Sequence, residues 1–138
     1  IAVGDCVPIY LARRGGGIGG VLHAGREGTR LNIAGAGVRA LHRHYDVDPE
    51  ELFAVIGPSA GPCCYEVTEA MADDFEAAGL PRQGRFLDLW GANRRQLAEA
   101  GIPHQQILVA ERCTICDGAF YSYRVTGTRE RNLAVLVL

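Results

Sequence analysis

Apolar positions along the chain change period several times, and each change marks an element. "AVGDCVPIYLA", residues 2–12, reads as a strand in which Pro8 occupies an edge, first-residue or bulge position. "RRGGG", Arg13 to Gly17, is a turn and "IGGVLHA", 18–24, a second strand, so the two predict a hairpin. In "TRLNIAGAGVRALHRHY", 29–45, Ala34, Val38, Leu41 and Tyr45 recur at helical spacing, with Arg39, His42 and Arg43 facing water. "DPEEL" turns the chain into "LFAVIG", a short buried strand with Phe53 in the core. "PSAGPCCYEV" is a Gly/Pro-punctuated loop of the kind that often carries function. Two helices follow: "TEAMADDFEAAG", capped by Thr68 and stopped at Gly79, and "LDLWGANRRQLAEAG", running from an Asp88 cap to Gly101. "HQQILVA" and "NLAVLVL" are strands, the latter apolar without alternation and hence expected to be buried on both faces. Between them "ERCTICDGAFYSYRVTGTRE" is irregular, aromatic and basic. Interleaved strands and helices behind an opening hairpin predict a mixed α/β (α+β) architecture in one domain, residues 1–138.

Composition narrows the function classes. With 48% hydrophobic and 22% charged residues among 138, a core forms without staples. A net charge of -2 leaves no electrostatic footprint for nucleic acid or an anionic membrane. The longest apolar run, "LAVLVL", is too short to span a bilayer. "IAVGDCVPIYL" opens as though an element were already under way, without a start Met or a basic leader; the expectation is a cytoplasmic domain lacking its N-terminal portion. Cys6, Cys63, Cys64, Cys113 and Cys116 are odd in number and irregular in spacing, which fits reduced thiols better than a disulfide framework.

The hairpin supplies the first candidate chemistry. A turn centred between Arg14 and Gly15 sets Cys6 directly opposite His23; one centred between Gly15 and Gly16 pairs His23 with Pro8, leaving Cys6 a diagonal neighbour roughly 7–8 Å away by backbone. Either register puts thiol and imidazole on one face, as part of a metal site or as a thiolate–imidazolium couple; a register half-way between separates them. Inert strand filling is the competing reading of Cys6. "HAGREGT" lacks the Lys a phosphate loop needs, so Thr29 reads as an N-cap or part of a generic anion site at a helix start. A zinc ribbon from Cys63, Cys64, Cys113 and Cys116 is disfavoured, because only one Cys-x-x-Cys occurs and the adjacent pair suits tetrahedral coordination badly. Arg124 and Arg129 among Phe120, Tyr121 and Tyr123 form either a phosphate-and-base cluster or a solvated edge, and His42 and His44 are surface residues.

"GDCVPIYL", "HAGREGT", "IGPSAGPCCYEV", "LDLWGANRRQLAEAGI" and "CTICDGAFYSYR" occur in this order, and together they resemble the YfiH-type laccase-domain, or polyphenol oxidase, family. The resemblance implies an α/β sandwich and a zinc-dependent purine nucleoside phosphorylase. Such an enzyme cleaves adenosine or inosine with phosphate, in some members with adenosine deaminase or methylthioadenosine activity. The family's zinc set is His, Cys, His. Its Ala-Asp-Cys-x-Pro motif is matched by Gly4-Asp5-Cys6-Val7-Pro8, and its His-Ala-Gly-Trp-Arg-Gly-Thr motif starts at His23. The resemblance therefore implies Cys6 and His23 as zinc ligands, with Asp5 orienting the groups around the metal or touching the ribose. It places Arg26, Thr29, Cys113, Thr114 and Arg124 along the substrate cleft. The family's first His lies upstream of residue 1; Arg26-Glu27 replaces Trp-Arg, bringing a carboxylate expected to repel an anion unless Arg26 or Arg30 compensates. Ser59-Ala60 and the shifted Arg124 to Arg129 run are further departures. Two rivals remain: a hydrolase with Cys6 as nucleophile and His23 as base, and a diverged homologue that binds without turnover. A blue-copper laccase is disfavoured, since one Cys with scattered His does not build that centre.

Overall fold

The computed structural model describes residues 1–138. Its central sheet has the order β3-β2-β4-β7, formed by β2 (Val7–Arg13), β3 (Gly19–Ala24), β4 (Leu52–Ile56) and β7 (Ile107–Val109). The first three pair antiparallel, while β4 and β7 run parallel, so the sheet is mixed as expected. The β2–β3 turn passes through Gly15, Gly16 and Gly17, all at positive φ between 78° and 92°, a conformation that disfavours side chains. That turn pairs Pro8 with His23 and Ile9 with Leu22, which is the second of the two permitted registers.

One sheet face is buried. Val7, Ile9 and Leu11 from β2, with Leu52, Ala54 and Ile56 from β4, point into a core closed by α2 (Ile33–Tyr45) and α4 (Leu89–Glu99). Helix α3 (Glu69–Ala77) adds Ala72 and Phe75. Thr68 caps α3 by accepting from the Met71 N–H, and Asp88 caps α4 by accepting from the Gly91 N–H. Gly101 closes the second of these at φ +104°.

Several expectations fail for identifiable reasons. The long opening strand is two pieces, because the chain leaves extended pairing at Gly4–Cys6: β1 (Ala2–Val3) pairs with β8 (Asn132–Leu133), and only β2 joins the main sheet. The single helix over 29–45 is also two, α1 (Arg26–Arg30) and α2, broken where Asn32 turns left-handed at φ 58° and caps α2 through Gly35 N–H. Thr29 is therefore inside α1, and Gly25 holds the cap position. Phe53 is 42% exposed, since β4 alternates and carries Phe53 and Val55 on its outer face. Tyr45 is likewise exposed at the end of α2. "NLAVLVL" contributes only a two-residue strand; Ala134 is buried, whereas Val135 and Val137 face solvent because β8 has a single partner strand. The small strands β5 (Arg82–Gln83) and β6 (Phe86–Leu87) form a separate hairpin before α4. No helix is long and apolar enough to cross a membrane.

Thr29 ties α1 to α4. Fully buried, its hydroxyl accepts from Asn93 Nδ2 at 3.0 Å, and its carbonyl accepts from Gln96 Nε2 at 2.8 Å. Replacing the hydroxyl by an isosteric methyl leaves a buried N–H short of a partner, so Thr29→Val should lower stability by about 1–3 kcal/mol. Urea unfolding checks this, and an unchanged midpoint would contradict the role.

Candidate active-site cleft

The chain between β1 and β2 and the end of β3 frame a cleft of about 330 Å³ lined by Asp5, Cys6, His23 and Arg26, with Tyr65 and Tyr123 contributing rings. The register explains the first pair. His23 shares a face with Pro8, and Cys6 lies two residues before Pro8, so thiol and imidazole reach the same opening. Opposite Cys6 the chain uses Gly25, where a Cβ would come within 3.0 Å of Cys6 Sγ. The glycine is thus needed for space, at an ordinary φ of -76°. Burial pushes the Cys6 thiol up, Asp5 adds to that, and Arg131 pulls the other way.

Asp5 is a crosslink. Its Oδ1 accepts from Thr114 Oγ1 at 2.8 Å, its Oδ2 accepts from the backbone N–H of Arg124 at 2.9 Å, and its carbonyl accepts from Ala60 N–H. Both carboxylate oxygens are engaged, which suits positioning rather than proton transfer. Three guanidiniums, Arg26, Arg124 and Arg131, line the cleft against this one carboxylate. Arg124 stacks over the Tyr65 ring at 4.9 Å and donates to Glu66 O; Arg131 stacks over Tyr123 at 5.7 Å. The cleft therefore offers positive charge beside aromatic faces, a combination suited to an anion bearing a planar ring.

The residues selected from the sequence divide. Asp5, Cys6, His23, Arg26 and Arg124 meet at the cleft. Thr29 is buried in the contact between α1 and α4, Thr114 is buried against Asp5, and Cys113 is buried beside Thr114, so these three do not line it. Glu27 does not line the cleft either. Arg30 grips it through two hydrogen bonds, at 3.0 and 2.6 Å, and holds its carboxyl below the usual range. Its charge is thereby paired with that of Arg30 on an outer groove. Sequence pattern does not single out Tyr65 or Arg131. Tyr65 sits beside the Cys-Cys pair, and Arg131 lies just beyond the aromatic-basic segment, where Arg129 is the more conspicuous residue.

A mixed sheet backed by helices, with a cleft at the mouth of its hairpin that gathers a thiol, an imidazole and three guanidiniums, defines an α/β domain. The chain belongs to the family described as multi-copper polyphenol oxidoreductase laccase, which matches residues 1–138. The purine nucleoside phosphorylase YlmD of Geobacillus stearothermophilus is 40% identical, over 96% of this chain and 53% of its own. A purine nucleoside phosphorylase of Aquifex aeolicus is 36% identical over 100% of this chain and 64% of its own. A protein of an unknown prokaryote named adenosine deaminase RL5 is 34% identical over 89% and 51%. The crystal structure of Bacillus licheniformis YfiH superposes with a TM-score of 0.79 at 36% identity, covering 90% of this chain and 51% of that one. The chain spans about half the length of most of these relatives.

Asp5 gives a test of the crosslink. An amide can still accept from Arg124 N–H and donate to the Thr114 hydroxyl, so Asp5→Asn should keep the fold. Asp5→Ala loses both bonds and should cost about 1–3 kcal/mol in thermal or urea unfolding. Equal stability of the two variants would contradict the assignment.

Proposed function

We propose that this chain carries the Cys6–His23 half of a zinc-dependent purine nucleoside phosphorylase site. The observation that carries the reading is the meeting of a thiol, an imidazole and three guanidiniums at one aromatic-lined cleft. Thiolate and imidazole are zinc donors, and the open space kept by Gly25 lets Cys6 Sγ face His23's side of the hairpin. They fit zinc as two members of a set that normally has three or four. Bound there, zinc would supply Lewis acidity toward phosphate or the substrate's oxygens.

The remaining roles belong to the protein's own groups. Arg26, Arg124 and Arg131 would hold phosphate and offset its charge as it approaches the ribose. Tyr65 and Tyr123 would present ring faces to the purine. Asp5 would keep the Arg124 backbone and Thr114 in place rather than move a proton. A cysteine hydrolase, with Cys6 as nucleophile and His23 as base, is the second reading of the same pair, and it lacks the support that the relatives' names give phosphorolysis. The names of the relatives in Geobacillus stearothermophilus and Aquifex aeolicus support phosphorolysis, and that of RL5 supports adenosine deamination as a side activity.

The direct test supplies the full-length protein with inosine and phosphate and measures ribose-1-phosphate. Product should form, and Cys6→Ala should lower kcat/KM by at least about 100-fold, the upper end of what losing a group that merely orients a metal ligand costs. Gly25→Ala should depress activity in the same direction by displacing Cys6. No product from zinc-loaded protein, or full activity in Cys6→Ala, would overturn the proposal.

A further inference from the structure

Cys63, Cys64, Cys113 and Cys116 lie outside the cleft lining, yet the fold gathers them. Their Sγ atoms all lie within 4.8 Å of one another, with Cys63 and Cys116 at 3.9 Å. A tetrahedral zinc with Zn–S bonds of about 2.3 Å spaces its sulfurs about 3.8 Å apart, so the cluster needs little contraction to close on an ion. The sulfurs come from two segments. One is the turn at Gly61, where Cys64 N–H and Tyr65 N–H both donate to Gly61 O, bringing adjacent cysteines to bear on one point. The other is the Cys-x-x-Cys turn closed by Asp117 N–H donating to Cys113 O. The objection raised by the adjacent pair is thereby corrected: the spacing in sequence is unusual, but the turn makes it workable.

We propose that these four sulfurs form an all-thiolate site for a borderline-soft tetrahedral divalent cation of the zinc class, separate from the Cys6–His23 cleft, clamping residues 59–65 to residues 112–117. A donor set made only of sulfur excludes magnesium and calcium, which require oxygen. A backbone donor already points at one of the sulfurs. Gly61 N–H donates to Cys113 Sγ at 3.3 Å. Cys113 is buried, whereas Cys63 and Cys116 are exposed, giving the ion a route in from solvent. Each arm of the clamp carries a residue of the neighbouring cleft region directly after a ligand: Tyr65 follows Cys64, and Thr114, the donor to Asp5, follows Cys113. The segments are also joined by Ser59 N–H to Arg112 O and Thr114 N–H to Ser59 O, so the ion would lock a contact the backbone has already formed.

The test uses the full-length protein carrying Cys6→Ala, reduced, freed of metal and titrated with Co²⁺. That variant removes the cleft thiol, so failure of the phosphorylase reading and failure of this one are read separately. The titration should reach about one Co²⁺ per chain with strong thiolate-to-metal charge-transfer absorption, which Cys63→Ser together with Cys116→Ser should abolish. Because the serine variants can fail to fold, iodoacetamide labelling of the protein that retains all four cysteines provides the second measurement. Saturating Zn²⁺ should slow alkylation of Cys63, Cys64, Cys113 and Cys116 at least about tenfold, as expected for ligands held in a stable metal site. Absence of the charge-transfer band, alkylation indifferent to Zn²⁺, or disulfides among these cysteines persisting under reductant would each overturn the proposal.

Discussion

The pairing of Pro8 with His23 is the constraint on which the rest depends. A β-strand alternates faces with period two, so a slip of one residue would turn Ile9 and Leu11 out of the core and His23 away from Cys6. Three glycines at positive φ fix that register at the turn, and the burial of Val7, Ile9 and Leu11 fixes it along the strand. Core packing and the site thus select the same pairing.

Electrostatics at the cleft follows from what each charge is tied to. Glu27, the apparent intruder, is neutralised by Arg30 on an outer groove. Asp5 commits both oxygens to Thr114 and Arg124, knitting the segment before β2 to two distant segments of the chain. Arg124 and Arg131 are stacked on tyrosines rather than paired with acids, leaving a positive, ring-lined opening. Such a site attracts a small anion and accommodates a flat partner.

Much of this is legible in the sequence, for physical reasons. Hairpin periodicity limits Cys6 and His23 to two productive registers, and one of them is present. Thr68 and Asp88 cap the helices they precede because short side-chain acceptors satisfy free N–H groups there. Local pattern does not reveal what tertiary packing decides. Thr29 looks like a cap yet lies inside a short helix, since Gly25 starts it earlier. The apolar C-terminal run looks like a core strand but has one partner strand and an open face. The four-cysteine cluster is the hardest to foresee, because spacing along the chain does not show that two turns bring their sulfurs together.

The measurement closest to the central proposal is anomalous diffraction at the zinc edge from crystals of the full-length protein grown with zinc. A peak bonded to both Cys6 Sγ and a His23 ring nitrogen is predicted, at about 2.3 Å and about 2.0–2.1 Å respectively. Zinc-loaded crystals with no anomalous density between those two side chains would contradict it.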